Sequence, residues 1–135
     1  MVLMVTLFAQ ACDEPEAVQE NEFVMAKDSE LALLMRDLTT ETEAIRTALE
    51  RGEEHPLWSR VEELHTATPT DSTRSGPVFE GFSNAFIRSV RQMENADSLK
   101  VKHFNAVINS CMDCHRTWCP GPMKRIEQFY LKDRI

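Results

Sequence analysis

A C-x-x-C-H run stands near the end of this chain of 135 residues, at Cys111, Cys114 and His115. On a helix, two thiols three positions apart lie within one turn, so both can reach the two vinyl groups along one edge of a porphyrin. The adjoining imidazole can then place a nitrogen lone pair on the porphyrin iron. The run therefore predicts one covalently attached haem c, bound through Cys111 and Cys114, with His115 as an iron ligand.

Three other interpretations of the same residues stay open. A redox-active dithiol normally opens a helix that follows a strand, and no strand-like segment precedes Cys111. A zinc site could use Cys111, Cys114 and Cys119 with His115 or His103, although zinc ligands usually come as two separated pairs around a loop. A structural disulfide between Cys111 and Cys114 would be strained if both lie in one helix.

The composition is typical of one soluble helical domain, and its charge limits the partners. The net charge of −7 comes from 22 acidic against 15 basic residues. Such a surface disfavours nucleic acid and favours a redox partner protein with a basic docking surface. No acid–base pair and no phosphate-binding loop stands out, so the sequence predicts no catalytic residues and no enzyme activity.

The first residues resemble an export signal. Residues 1–12 are an apolar run ending in small residues at Cys12, as in bacterial lipoproteins whose cysteine is acylated, and residues 13–28 form an acidic tether. The run is short and no Lys or Arg precedes it, so an upstream start, an ordinary secretory signal or an apolar arm on a cytosolic protein are alternatives. Because c-type haem is attached outside the cytoplasm, we expect a periplasmic or cell-envelope protein anchored to a membrane by lipid at Cys12.

Apolar periodicity predicts four helices in the remaining domain, residues 29–135. They cover residues 29–51, 56–65, 77–95 and 98–118, and a final turn or short helix follows residue 123. Ser29 and Gly52 are the expected caps of the first helix, and Asp97 or Ser98 that of the fourth. With short connections and no strand candidates, the sequence predicts an all-α fold, an antiparallel four-helix bundle behind an extended N-terminal signal and tether.

Two of these helices carry apolar stripes that bear on the site. The first helix presents a seam of residues at alternating steps of four and three: Leu31, Met35, Leu38, Thr42, Ile45 and Leu49. The third helix presents Phe79, Phe82 and Phe86, which fit either a pocket wall or plain core packing.

A four-helix pattern with one C-x-x-C-H run on its last helix resembles the class II cytochromes c, the cytochrome c′-like family. The resemblance covers residues 29–119. An aromatic residue commonly lies three positions after the haem histidine in this family, which Trp118 matches. A basic residue commonly lies four positions after it, and here the chain departs from the pattern with Cys119. We expect Cys119 to be buried, with a bond to another chain as the alternative.

The resemblance implies what the first helix does. Some family members present a methionine to the iron and carry electrons, whereas others leave iron five-coordinate and bind NO or CO. Met35 is the candidate second axial ligand, Met25 and His65 are weaker candidates, and an empty position is the alternative. We therefore expect a monohaem cytochrome that transfers single electrons between redox partners, or else a haem protein that binds or senses a diatomic gas. Family members often pair through their first two helices, which implies a possible homodimer.

Overall fold

The computed structural model describes residues 27–73 and 75–132, and this part of the chain is all-α. It contains α1 (Glu30–Arg51), a 3-10 helix (Val61–His65), α2 (Pro77–Glu94), α3 (Lys100–Trp118) and the short α4 (Met123–Glu127). No strand occurs within it, so the predicted fold class is confirmed. The lipidation site Cys12 and the candidate ligand Met25 lie outside the described residues, as do the signal and nearly all of the tether.

The predicted caps of α1 are confirmed at both ends. The hydroxyl of Ser29 accepts a hydrogen bond from the Ala32 N–H at 3.2 Å. Gly52 adopts φ 68°, and its N–H bonds the carbonyls of Ala48 and Leu49. Each cap satisfies backbone groups that the helix itself leaves without partners.

The predicted cap of the haem-motif helix is wrong. Neither Asp97 nor Ser98 caps α3; the residue before the helix is Leu99, at φ 56° and without a capping side chain. Leu99 is the one non-glycine residue with positive φ among the described residues. A bulky apolar residue rarely adopts this left-handed conformation, because its Cβ approaches the following carbonyl oxygen.

The predicted helix over residues 56–65 is also wrong, since only residues 61–65 are helical and they form a 3-10 helix. Trp58 explains why the segment stays extended. Its indole N–H donates to the Thr42 hydroxyl at 3.0 Å, and its ring stacks on Phe104 at 6.2 Å between centroids. These contacts outweigh helix propensity, which is weak for so short a segment.

The chain after α3 turns back onto the core. The Asn105 side chain exchanges two hydrogen bonds with the backbone of Leu131, at 2.8 and 2.9 Å. Ile126, Phe129 and Leu131 are buried. The predicted packing of this segment as a short helix is therefore confirmed.

The helices pack unevenly around the core. α2 lies along α3 with the most extensive contact, and α4 packs on α3. α1 contacts the 3-10 helix and α3, but no pair of Cα atoms from α1 and α2 approaches within 8 Å. The two helices are therefore joined across a gap that side chains alone fill.

The inner face of α1 is rotated from the predicted seam. Leu34 is fully buried, whereas the predicted Leu31, Met35 and Leu49 are only partly buried against the core. Met35 therefore lies at the margin of the core. No helix within the described residues is long and apolar enough to cross a membrane.

Candidate functional site

One cavity brings together the four residues that the sequence predicts around the iron. It has a volume of about 70 Å³, and its lining includes Cys111, Cys114 and His115 from α3 and Met35 from α1. Helical geometry accounts for the first three, because positions 111, 114 and 115 share one face of α3. Met35 reaches them from the neighbouring helix, although it is separated by more than seventy residues of sequence.

Aromatic side chains close the other sides of this cavity. Phe79, Phe82 and Phe86 of α2 all line it, and Phe129 adds a further ring from the segment after α4. Phe86 is buried, but Phe79 and Phe82 are only partly buried. Of the two interpretations of this stripe, pocket wall and core, the structure supports the pocket wall, with Phe86 belonging to both.

The imidazole of His115 is held by the end of its own helix. Its Nδ1 lies 3.0 Å from the main-chain carbonyl oxygen of Cys119. Since a carbonyl oxygen only accepts, Nδ1 carries the proton and donates, which leaves the lone pair on Nε2. A histidine that binds a metal usually donates its other ring N–H in this way. The arrangement prepares Nε2 to act as a ligand.

The carbonyl that orients His115 is positioned by the turn after α3. The N–H of Cys119 bonds the carbonyl of His115 at 3.0 Å, and Pro120, which has no N–H, follows at once. The helix therefore ends at Trp118. Residue 119 lies where it exchanges hydrogen bonds with both the backbone and the ring of His115.

The two motif thiols are buried and weakly acidic. Burial, with a smaller contribution from Cys114, raises the pKa of Cys111 to about 12. Burial raises the pKa of Cys114 to about 11, assisted by Cys119. Reactive redox dithiols have lowered pKa values, so these thiols, protonated at neutral pH, do not fit that interpretation. Both cysteines are free, which also disfavours the structural disulfide.

The zinc interpretation finds no support in the part of the chain that the structure describes. Within residues 27–73 and 75–132, no three His, Cys, Asp or Glu side chains lie close enough to hold a metal ion. A structural zinc site needs four such ligands.

Hydroxyl groups line the cavity as well, which sequence reasoning missed. Thr39, Thr42 and Ser83 donate to carbonyls one turn earlier in their own helices, at 2.7, 2.7 and 3.0 Å. Because their protons are used within the helices, these groups add little polarity to the interior. Their spacing on the cavity side of α1 and α2 was the only signal in the sequence.

Two buried donors near the cavity have no hydrogen-bond partner among the described residues. They are Trp118 Nε1 and Arg46 Nε. Trp118 lies three positions after His115 on α3, and Arg46 lies four positions after Thr42 on α1. A buried donor without a partner is costly, and the carboxylates of a porphyrin are acceptors that could satisfy it.

The residues present fit a covalently bound porphyrin, but the cavity volume requires movement. Cofactor sites usually enclose about 300–1,000 Å³, far more than this cavity. The groups that fill the gap between α1 and α2 include Met35, Phe79 and Phe82, all of them partly buried. These side chains can move apart without breaking the contact between α2 and α3.

The remaining candidates lie away from this cavity. His65 is exposed and does not line it, so the structure does not support His65 as an iron ligand. The expected burial of Cys119 is wrong, because the residue is exposed beyond the end of α3. Comparisons of the chain with protein-family models, curated proteins and solved structures returned no match.

Proposed function

We propose that this protein is an exported monohaem c-type cytochrome that transfers single electrons between redox partners. One observation carries the proposal: both motif sulfurs, the His115 imidazole and the Met35 thioether line the same cavity, behind aromatic walls. Haem iron, when bound there, supplies the reversible one-electron change.

Each residue at the cavity has a proposed task. Cys111 and Cys114 bind the porphyrin through thioether bonds, formed when each S–H adds across a vinyl group. His115 binds the iron through Nε2 while Nδ1 stays on the Cys119 carbonyl. Met35 offers the second axial ligand, and a thioether there favours the reduced state. The phenylalanines exclude water, so oxidation and reduction proceed with little reorganisation of solvent.

We further propose the finer architecture of an antiparallel four-helix bundle like that of the class II cytochromes c, with its second helix reduced to a 3-10 turn. Support comes from the hydrogen bonds that join successive elements. The Leu31 N–H bonds the Thr68 carbonyl at 3.0 Å, so the chain returns to the start of α1 after the 3-10 helix. Lys100 bonds the Met93 carbonyl at 3.2 Å, so α3 begins beside the end of α2.

A five-coordinate haem protein that binds or senses a diatomic gas is the second candidate. The observation that favours it is the position of Met35 at the margin of the core, on a helix that α2 does not approach. A side chain held so loosely leaves one face of the iron open to a small ligand. Cys119, where the family has a basic residue, argues against transferring the gas chemistry of cytochrome c′ unchanged.

The proposed location is the periplasm or cell envelope, with membrane attachment through lipid at Cys12. The proposed partners are redox proteins with a basic docking surface, because the chain carries a net charge of −7. Attraction between such surfaces weakens when salt screens them. The rate of electron exchange should therefore fall as ionic strength rises, and a rate indifferent to salt would remove this part of the proposal.

The decisive experiment is expression of the full chain with and without the haem maturation machinery. The matured protein should keep haem after denaturation, with a mass increase of one porphyrin and a c-type absorption spectrum. The double variant Cys111→Ala/Cys114→Ala should lose the covalent haem. The matched control is Cys119→Ala, which removes the exposed cysteine and should leave attachment unchanged. A colourless matured protein would refute the proposal.

A further inference from the structure

A second and larger cavity opens near the last turn of α1 and the first turn of α3, whereas the candidate haem site lies towards the other ends of these helices. Its volume is about 780 Å³. We call it the end groove. One wall is formed by the end of α1 with residues 52–57, and the other by residues 99–102 with Leu131 and Lys132.

Each wall of the end groove presents an exposed leucine. Leu57, on the α1 wall, is 56% exposed, and Leu99, on the α3 wall, is 65% exposed. Leu99 also adopts φ 56°, the left-handed conformation that leucine rarely takes. Neither backbone preference nor burial within one chain explains a leucine in this position. Exposed apolar side chains on two facing walls are typical of an interaction surface.

The walls carry opposite charges that do not pair with each other. Glu53 and Glu54 lie on the α1 wall, and Lys102 and Lys132 lie on the α3 wall. Within the described residues none of these four makes an ion pair. A small anion would meet the carboxylates and a small cation would meet the lysines. The groove instead matches a surface that carries both charges, with an apolar centre.

We propose that a second copy of this chain docks in the end groove, related by a two-fold axis. In such a pair the same patch faces itself, so the acidic wall of each copy meets the basic wall of the other. Leu57 of one copy then lies against Leu99 of the other, on both sides of the axis. The chain as a whole is acidic and repels a second copy elsewhere, whereas the charges in this groove nearly balance.

This pairing differs from the one that the resemblance implies, because it uses the ends of α1 and α3 and not the faces of the first two helices. It leaves Met35, His115 and the surface near the haem motif free. The inference is therefore independent of the proposed electron transfer. Dimerisation and haem content can be measured separately, so the failure of one proposal is distinguishable from the failure of the other.

The first test is sedimentation equilibrium of the full matured chain, which should be dimeric at micromolar concentration. Leu99→Asn should raise the dissociation constant at least about tenfold, since it removes an apolar centre of the contact. Asparagine tolerates the left-handed conformation, so the variant should fold. The control Leu33→Asn changes a leucine that is 47% exposed on α1 outside the groove, and should leave the dimer intact. A monomeric wild type, or a dimer that Leu99→Asn does not weaken, would overturn the proposal.

The second test exchanges the charges of the two walls. The variant Lys102→Glu/Lys132→Glu makes both walls acidic, and Glu53→Lys/Glu54→Lys makes both basic. Each should be monomeric by itself through like-charge repulsion, and an equimolar mixture should form a heterodimer. Circular dichroism checks that both variants remain helical. If each folded variant dimerises alone as wild type does, or if the mixture stays monomeric, the pairing of the two walls is refuted.

Discussion

His115 and Cys119 are joined through the ring and the main chain: the imidazole Nδ1 donates to the Cys119 carbonyl oxygen at 3.0 Å. The side chain of Cys119 takes no part in this hydrogen bond and is exposed. The position therefore acts on the proposed iron ligand through its backbone. Substitutions that change the backbone turn should affect the haem, whereas substitutions of the Cys119 side chain alone should not.

Pro120→Gly is expected to raise the midpoint potential of the haem. Glycine loosens the turn that carries the Cys119 carbonyl, so the imidazole loses part of its hydrogen bond, becomes less basic and stabilises oxidised iron less. The hydrogen bond is worth about 1 kcal/mol, which limits the shift to about 40 mV for a one-electron couple. Potentiometric titration measures it. Cys119→Ser, which keeps the carbonyl, is the control and should leave the potential unchanged; a lower potential in Pro120→Gly would contradict the assignment.

Met35→Ala should open the iron to carbon monoxide. If the Met35 thioether binds the iron, the spectrum of the reduced wild type should ignore CO, and the variant should respond promptly. Absorption spectra with and without CO provide the measurement. Leu31→Ala is the matched control, because Leu31 is partly buried on the same helix but does not line the cavity. A prompt response of the wild type itself would favour the gas-binding alternative.

The protein without haem should lose stability at alkaline pH, and the protein with haem should not lose it for the same reason. Burial raises the pKa of Cys111 to about 12 and that of Cys114 to about 11, from 9.0. A thiol whose pKa is raised by folding contributes stability below its unfolded pKa, and this contribution is lost as the pH rises through the folded pKa. Urea unfolding of the apoprotein between pH 8 and about 11 should show the decline. Thioether sulfurs do not titrate, so an equal decline in the haem-bound protein would count against covalent attachment.

Thr42→Val should destabilise the fold by about 1–3 kcal/mol, because it leaves the buried Trp58 indole N–H without its acceptor at almost unchanged volume. The free energy of unfolding in urea measures the loss. Thr47→Val is the control, since Thr47 is on α1 and bonds only the Glu43 carbonyl at its surface. That control should change the free energy by less than about 0.5 kcal/mol. Equal effects of the two variants would remove the role assigned to the Trp58 contact.

Leu34→Ala and Leu33→Ala should separate the buried from the exposed side of α1. Leu34 is fully buried, so its truncation should cost about 2–5 kcal/mol. Leu33 is largely exposed, and its truncation should cost less than about 0.5 kcal/mol. Urea unfolding of both variants is the measurement. Comparable losses would mean that the inner face of α1 is not the one described.

The features that sequence reasoning predicted correctly are local ones. The spacing of Cys111, Cys114 and His115 fixes their common face on any helix, and Ser29 and Gly52 are residue types whose side chain or backbone suits a helix end. The same reasoning could not decide between Met35 and Leu34 as the more buried residue. One position turns a helix by about 100°, and the seam pattern tolerates either register.

The features that it missed depend on contacts distant in sequence. The extended segment before the 3-10 helix is held by Trp58 against Thr42 and Phe104, sixteen and forty-six positions away, which no local pattern reveals. Leu99 has no residue-type signal for positive φ. The role of Phe79 and Phe82 was ambiguous for the same reason, because whether a stripe faces core or cavity depends on which helix lies opposite.

The gap between α1 and α2 has a consequence for the order in which the mature protein is assembled. Backbone contacts join α2, α3 and α4, whereas α1 is attached mainly through the segment that follows it and through α3. The first helix can therefore swing outward as a door on the side where the porphyrin must enter, while the rest stays folded. Loading would then follow folding and precede closure, and the amides of α1 should exchange hydrogen fastest before haem is attached and slow most once it is in place.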